Sequence, residues 1–362
     1  MLTVYLIALV LAVPVLVLQE VISKKDRKTR SRYTVVAWYV IFLFVVLVGL
    51  RDTATISIQH FRQSDELAYR IAFDLLIGTP FSLANVASFE WGRYVLDWTL
   101  ANIFKDSQMW VFTYALLTNY LFVQSIRKYV KPFWLGIFLY ITFGLLTFQM
   151  NGTTSVLAGA ILLKSIDFAV KRKFLKYLFV VFIAGSIHFS AWIMLPLYLV
   201  LTKRGFTKGT LFWIVITVIF MFGFNSIANF ILPITPYASY LNQINSTEAY
   251  GVNIFRVLIF SAIYLFILTF YKKIKDYTDI DRYFTNIIIV LLSMNIVSIA
   301  YVYIYRFNVI FIFALIYMLP RVIYSFRPSI RYPMLIVIII AFLLFGLQQT
   351  LGILYENILI SW

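Results

Sequence analysis

Residues 2–19, LTVYLIALVLAVPVLVLQ, form one continuous apolar segment at the start of the chain. As a helix rising about 1.5 Å per residue, a segment of this length nearly crosses the roughly 30 Å hydrocarbon core of a bilayer. It has neither a preceding basic stretch nor the small-residue cleavage site that a secretory signal peptide carries. The segment therefore predicts a retained membrane-spanning helix.

The rest of the chain repeats this apolar pattern. Of its 362 residues, 62% are hydrophobic and 19% are aromatic, which is more apolar surface than a soluble domain of this size can bury. Further spans are predicted at 33–50, 109–125, 133–150, 154–170, 210–231, 254–271, 284–303, 307–323 and 334–352. The predicted fold class is an all-α polytopic membrane protein with about 10–12 transmembrane helices, in a single membrane domain over residues 1–362.

The distribution of positive charge indicates how the helices are oriented. The net charge is +16, and most Lys and Arg residues form clusters after predicted spans, beginning with KKDRKTRSR at 24–32. The positive-inside rule places these clusters in the cytoplasm and both termini outside. The alternation then requires residues 176–201 to form a re-entrant or sharply broken hairpin, which is tolerated where it lines a cavity or is buried in protein. Charge concentrated at this rim predicts contact with membrane lipid and no binding of nucleic acid.

Residues 51–108 are predicted to form a large extracytoplasmic loop. The range contains seven acidic and five basic residues. Apolar residues at helical spacing predict two amphipathic helices lying on the outer face, and these residues are Leu67, Ile71 and Leu75, followed by Phe89, Val95 and Trp98. Such helices would cap an outward-facing cavity. The alternative is that the charges only solvate a loop.

Arginine is the main cation on the predicted outer side. Arg51 ends the second span, Arg256 begins the span at 254–271, and Arg306 interrupts SIAYVYIYRFNVIFIFAL at 298–315. A guanidinium offers a rigid fork of donors to phosphate oxygens, and a charge at membrane depth usually faces a polar cavity or partner. These arginines predict a membrane-borne anion, such as a lipid pyrophosphate. Interfacial anchoring or an internal Arg–Asp pair is the alternative.

His188, in AGSIHFSAW at 184–192, falls at the turn of the proposed hairpin. Its imidazole can act as a general base or bond a sugar or phosphate near neutral pH, and a structural role is the equal alternative. No nucleotide-binding, zinc-protease or serine-hydrolase motif occurs. The chain also has no cysteine. The sequence therefore predicts neither a metal nor a cofactor.

A series of short motifs resembles the EpsG-like branch of the Wzy-type polysaccharide polymerases. The motifs are GLR at 49–51, Asp65 with Tyr69, FEWG at 89–92, MNG at 150–152, HFSA at 188–191 and Arg306-Phe307. They extend over about residues 45–325, and HFSA is the most specific of them.

The resemblance implies a GT-C-like glycosyltransferase of the bacterial plasma membrane. Members join oligosaccharide repeat units carried on undecaprenyl pyrophosphate at the outer face, without a metal, and are expected to work with a chain-length regulator protein. Together with the residue chemistry, the resemblance predicts that the base is His188, Glu90 or Asp65. The residues predicted to bind pyrophosphate are Arg51, Arg306, Arg256 and Arg93. Tyr69 and Trp91 are candidates for stacking on sugars.

Three other functions fit parts of this pattern. An O-antigen ligase, or a single-sugar transferase with a polyprenyl-phosphate donor, would show the same outer arginines. A transporter or flippase for the lipid-linked sugar would need polar residues along the whole depth of the bundle, whereas here they concentrate toward the outer half. A structural subunit of an assembly complex would tolerate loss of Arg306.

Overall fold

The computed structural model describes residues 2–23, 30–52, 65–83, 90–201, 254–299, 307–350 and 356–357, with five isolated positions between 226 and 238. Among the features predicted above, Arg306, Phe89 and most of the span at 210–231 lie outside these residues.

The described residues are almost entirely helical. The α-helices are α1 (Leu2–Ser23), α2 (Arg30–Gly49), α3 (Asp65–Asp74), α4 (Trp91–Phe104), α5 (Ser107–Tyr129), α6 (Phe133–Thr142), α7 (Leu145–Phe148), α8 (Thr153–Leu162), α9 (Ile166–Val170), α10 (Phe174–Ile187), α11 (Met194–Leu201), α12 (Ile254–Phe270), α13 (Asp279–Val297), α14 (Asn308–Phe311), α15 (Phe313–Ile323) and α16 (Pro328–Thr350). Short 3-10 turns occupy Leu163–Ser165, Phe189–Ile193 and Tyr271–Lys273. The two-residue strands β1 (Arg51–Asp52) and β2 (Glu356–Asn357) pair antiparallel.

Five helical runs in the described part of the chain are long and apolar enough to cross a membrane. They are Leu2–Ile22, Thr153–Val170, Ile254–Lys273, Asp279–Val297 and Pro328–Thr350. Shorter apolar helices, α6 and α15 among them, accompany these runs. The protein is a multi-pass, helical membrane protein, and the predicted fold class is confirmed.

Several helix boundaries differ from the predicted spans, and two of the differences have a clear local cause. The span predicted at 133–150 is divided between α6 and α7 because Gly144 has φ +79°, a left-handed conformation that favours glycine and ends helices. Helix α13 begins at Asp279, before the predicted start at 284. The reason is a capping box, in which Thr278 Oγ1 accepts from the Asp281 backbone N–H and the Asp281 carboxylate accepts from the Thr278 N–H.

The bundle is organised around the long helix α5. Helix α2 packs along α5, with α1 and α6 beside them, while α8 contacts α5, α10 and α14. A second group forms where α13 packs between α12 and α15. Aromatic rings fill the centre of the first group, where Tyr140 lies 5.7 Å from Phe44 and 5.1 Å from Phe122 between ring centroids.

Contacts between helix termini define two ends of the bundle. At the upper end, Gln108 at the start of α5 donates to the carbonyl of Gly49 at the end of α2 (2.6 Å), and Arg51 donates to the Met150 carbonyl just before α8 (3.4 Å). At the lower end, Lys128 in the last turn of α5 bonds the carboxylate of Asp167 in α9. The sequence predicts that the upper end faces the outside and the basic lower end faces the cytoplasm.

Residues 174–201 fold into a hairpin. Helix α10 ends at Ile187, His188 is extended (φ −149°, ψ 125°), and the 3-10 turn and α11 return along α10. The return is closed by a hydrogen bond from the Tyr177 hydroxyl to the Met194 carbonyl (2.6 Å). Trp192 lies against Gly185, where a Cβ would approach its indole ring to 2.5 Å. The hairpin turn is therefore at the upper end, and its re-entry into the membrane stays a prediction.

Helix α3 turns its charged side inward. Glu66 is 3% exposed and Arg70 is 9% exposed, whereas Ile71 is 53% and Leu75 is 71% exposed. At a membrane interface, an outward apolar face of this kind contacts lipid. The buried face is polar because it forms the ion pairs described next.

Candidate functional site at the upper end

The carboxylate of Glu90 receives two hydrogen bonds from the hairpin turn. Its Oε1 lies 2.9 Å from His188 Nδ1 and accepts from the backbone N–H of Phe189 at 3.1 Å. Both groups reach one acceptor because α10 stops at Ile187 and His188 is extended. An ionised carboxylate can only accept, so Nδ1 carries a ring proton, and in the neutral imidazole this tautomer leaves the lone pair on Nε2. The His188 side chain is 18% exposed.

Arg93 joins Glu90 to a second carboxylate one turn further along α4. Its Nη1 lies 2.8 Å from Glu90 Oε2, and its Nε lies 4.0 Å from Asp97 Oδ2. Asp97 Oδ1 accepts hydrogen bonds from Trp110 Nε1 (2.8 Å) and from the Tyr114 hydroxyl (2.7 Å), both on α5. The Arg93 side chain is 32% exposed, so it is the cation of this group that an incoming ligand can reach.

Burial and hydrogen bonding shift the pKa values of the two carboxylates in opposite directions. Burial alone would raise the pKa of Glu90, but the His188 hydrogen bond and the Arg93 charge outweigh it and lower this pKa to about 2. For Asp97, burial prevails over the Tyr114 hydrogen bond and the Arg93 charge, and it raises the pKa to about 6. Both carboxylates are therefore ionised at pH 7. Glu90, Asp97 and Arg93 together carry one net negative charge.

Asp97 leads to a prediction about stability and pH. Its pKa, about 6 against an ordinary 3.8, means that the folded protein holds this proton more tightly than the unfolded chain. Asp97 therefore contributes less stability as the pH rises through this window. The contribution of Glu90 is present above its ordinary 4.5 and is lost as the pH falls from there toward 2, so it changes little above pH 4.5.

The variant Asp97→Asn cannot ionise. We expect its thermal midpoint to rise relative to that of the unchanged protein as the pH increases from about 4.5 to about 7.5. Thermal unfolding of both proteins in detergent, at four pH values across this range, measures the difference. A difference that does not change with pH would contradict the assignment.

A second charged group includes the buried face of α3. Glu66 accepts from Arg51 Nε (2.7 Å) and from Arg70 Nε (3.1 Å). Arg51 also donates to the carbonyls of Val48 (2.8 Å) and Met150 (3.4 Å), so each of its three guanidinium nitrogens has a partner inside the chain. This group ties the end of α2 to α3 and to the start of α8.

Tyr69 connects the two charged groups, because it follows Glu66 by one turn of α3. Arg93 lies 5.6 Å from the centre of its ring, and the ring of Trp110 lies 5.9 Å away. Its hydroxyl is 3.2 Å from Thr154 Oγ1 at the start of α8. The upper ends of α3, α4, α5 and α8 thus meet around this ring.

Comparison with known proteins identifies the family of this chain. The EpsG family model matches residues 36–357. The chain belongs to the EpsG family. The matched range includes both charged groups and the hairpin, and membership implies a role in polysaccharide biosynthesis. Searches of curated proteins and of solved structures return no match.

In this EpsG-family protein, several of the predicted site residues lie close together. Glu90, His188 and Arg93 are in direct contact, and Tyr69 lies against Arg93. Trp91 follows Glu90, with its ring 5.5 Å from that of Phe182 on the hairpin.

The other predicted residues are placed differently. Arg51 belongs to the Glu66 group and is 3% exposed. Arg256 donates to Gln349 and so joins α12 to α16. Asp65 is the first residue of α3, and its side chain, like Arg306, lies outside the described residues.

Sequence reasoning gave no individual role to Glu66, Arg70 or Asp97. A usable signal was present, because Glu66 and Arg70, as well as Arg93 and Asp97, are oppositely charged residues four positions apart. Such pairs are neighbours on a helix surface. Their burial, which depends on helices distant in sequence, was not visible from the spacing.

Gly92 allows α4 to approach the hairpin turn. A Cβ at this position would lie 2.1 Å from Ser186 Oγ and 2.8 Å from Ser186 Cβ. We expect Gly92→Ala to push these elements apart, to lower stability by about 1–3 kcal/mol and to weaken the Glu90–His188 contact. Thermal unfolding in detergent measures the loss, and Ser186→Gly in the same chain should restore part of it.

Gly159, in the interior of α8, provides the matched control. The nearest atom to a Cβ there is 3.5 Å away, so Gly159→Ala should be neutral or slightly stabilising. Equal losses in the two variants would show that the close approach at Gly92 is not the cause.

Proposed function

We propose that this protein is a glycosyltransferase that polymerises undecaprenyl-pyrophosphate-linked oligosaccharide repeat units at the outer face of the bacterial plasma membrane. The observation that carries the proposal is the His188–Glu90 pair beside Arg93, at the end of the bundle that is predicted to face outside. Family membership supports the polysaccharide substrate class. The chain-length regulator is a further proposed partner.

His188 is the proposed general base. A base needs a lone pair aimed at the acceptor hydroxyl and a neighbour that fixes the ring, and Glu90 supplies the second requirement by accepting from Nδ1. In the proposed step, Nε2 takes the proton of the attacking sugar hydroxyl as its oxygen bonds to the anomeric carbon. Glu90 then stabilises the imidazolium that forms. Asp65 remains a second candidate for the base.

Arg93 and Arg306 are the proposed contacts to the pyrophosphate. As the bond between the anomeric carbon and the phosphate oxygen breaks, its electron pair leaves with the pyrophosphate, and a nearby cation stabilises the growing charge. Arg93 is accessible for this role. Arg51 has each guanidinium nitrogen engaged inside the chain, so we assign it to positioning α3.

The test is an in vitro polymerisation assay. Purified protein is given synthetic undecaprenyl-pyrophosphate-linked repeat units from the neighbouring pathway, and the products are separated on a gel. A ladder of multimers is the expected result. Addition of one unit only would indicate a ligase or single-sugar transferase, and no product from a verified native substrate would contradict catalysis and favour a transport function.

A further inference from the structure

A cavity lies at the lower end of the bundle, at the opposite end of α5 from Arg93 and His188. Its volume is about 810 Å³. One side is formed by Tyr120, Gln124 and Arg127 on successive turns of α5. Lys131 contributes from the segment between α5 and α6, and Lys164 from the 3-10 turn after α8. Trp110 and Arg127 are both on α5, so at about 1.5 Å per residue roughly 25 Å separates this cavity from the proposed site.

The charges that line the cavity are not balanced. Among the residues that the structure describes, four cations line it, namely Arg127, Lys128, Lys131 and Lys164, and Glu20 is the one carboxylate. Lys128 pairs with Asp167. Among the described residues, Arg127, Lys131 and Lys164 form no salt bridge. By contrast, Arg51, Arg70 and Arg93 at the upper end all pair with carboxylates.

The cavity also reaches along an apolar helical run that is long enough to cross a membrane. Lys164 lies six positions before the end of the apolar run Thr153–Val170, which is about 9 Å along a helix. A cation at this depth is retained when it meets a partner or a polar cavity. Tyr120 and Gln124 add a hydroxyl and an amide to the same wall. The wall therefore offers hydrogen-bond donors as well as positive charge.

We propose that this cavity binds the phosphate group of an anionic phospholipid. Phosphate oxygens accept from guanidinium and ammonium groups together, and basic pockets between membrane helices on the cytoplasmic side suit lipid headgroups of this charge. The volume is sufficient for one headgroup. We prefer a lipid to a soluble phosphate as the source of the phosphate group. The reason is that Lys164 lies within an apolar run long enough to cross a membrane.

Native mass spectrometry of the full chain in neutral detergent tests the proposal. The protein is titrated with phosphatidylglycerol, phosphatidylcholine or glycerol 3-phosphate, and bound molecules are counted. We expect saturable binding of phosphatidylglycerol that is at least tenfold tighter than that of phosphatidylcholine. The triple variant Arg127→Gln, Lys131→Gln and Lys164→Gln should lose at least tenfold in this affinity. Its thermal midpoint shows whether it has folded.

The matched control removes three exposed cations from other parts of the predicted cytoplasmic rim, Lys272→Gln, Lys275→Gln and Arg327→Gln. This control should change affinity less than twofold. Equal losses in both triple variants, equal binding of phosphatidylcholine, or equally tight binding of glycerol 3-phosphate would each overturn the proposal. If the first triple variant is unstable, Arg127→Gln with Lys131→Gln is compared with Lys272→Gln and Lys275→Gln.

Discussion

Replacing His188 with alanine is expected to reduce polymer formation by about 10²- to 10⁴-fold, the usual contribution of a positioned general base. The loss follows from removal of Nε2, the atom proposed to take the proton of the acceptor hydroxyl. The measurement is the initial rate of ladder formation from the lipid-linked repeat unit, per amount of protein. The thermal midpoint of each variant shows whether it is folded at the assay temperature.

His60 supplies the control for this experiment. It is the other of the two histidines in the chain, and no role is proposed for it, so His60→Ala should retain the full rate. An unchanged rate in His188→Ala would remove the histidine from the mechanism and leave Asp65 or Glu90 as the base. A melting temperature that falls together with the rate would point to a structural role at the hairpin turn.

The largest expected effect on stability comes from Glu66→Gln. Glu66 is 3% exposed and holds Arg51 and Arg70, which are 3% and 9% exposed. The variant removes the negative charge that the two buried guanidinium groups share. Removing one partner of a buried ion pair costs about 3–5 kcal/mol, and we expect a loss of this size in the free energy of unfolding, measured by denaturation in detergent.

Asp279→Asn makes the same chemical change in an exposed ion pair. Asp279 lies 2.9 Å from Arg282, but its side chain is 64% exposed. Exposed pairs contribute at most about 1 kcal/mol because solvent screens them. Similar losses in the two variants would contradict the structural role given to the Glu66 group.

The proposed site and the lipid cavity are separable. The catalytic proposal is tested by variants at the upper end, and the lipid proposal by charges at the lower end. A triple variant at Arg127, Lys131 and Lys164 that loses phosphatidylglycerol binding while its polymerisation rate per folded molecule is unchanged would identify a structural lipid. A parallel loss of rate would show that the lipid supports activity.

The sequence by itself determined the class of protein and the positions of the five long apolar helices that the structure describes. Apolar segments such as 2–19 have one stable solution in a bilayer, a helix that satisfies its own backbone hydrogen bonds. The motifs around Glu90 and His188 were likewise recognisable because each is a short, contiguous stretch of sequence. The family model matches the range 36–357, which includes both motifs. Helical spacing also indicated α3 and α4, although it did not show which side of α3 is buried.

Only the tertiary structure decided which charged residues meet. Glu90 and His188 are 98 positions apart, and their contact requires α4 to start where the hairpin turns, with Gly92 against Ser186. Arg51 had the sequence context of an anion-binding residue, yet Glu66 and two carbonyls engage it. The sequence shows which residues are charged, but the partner of each charge depends on the distances between helices. Composition and spacing therefore indicate a helical membrane protein, and packing alone selects the ion pairs that build the site.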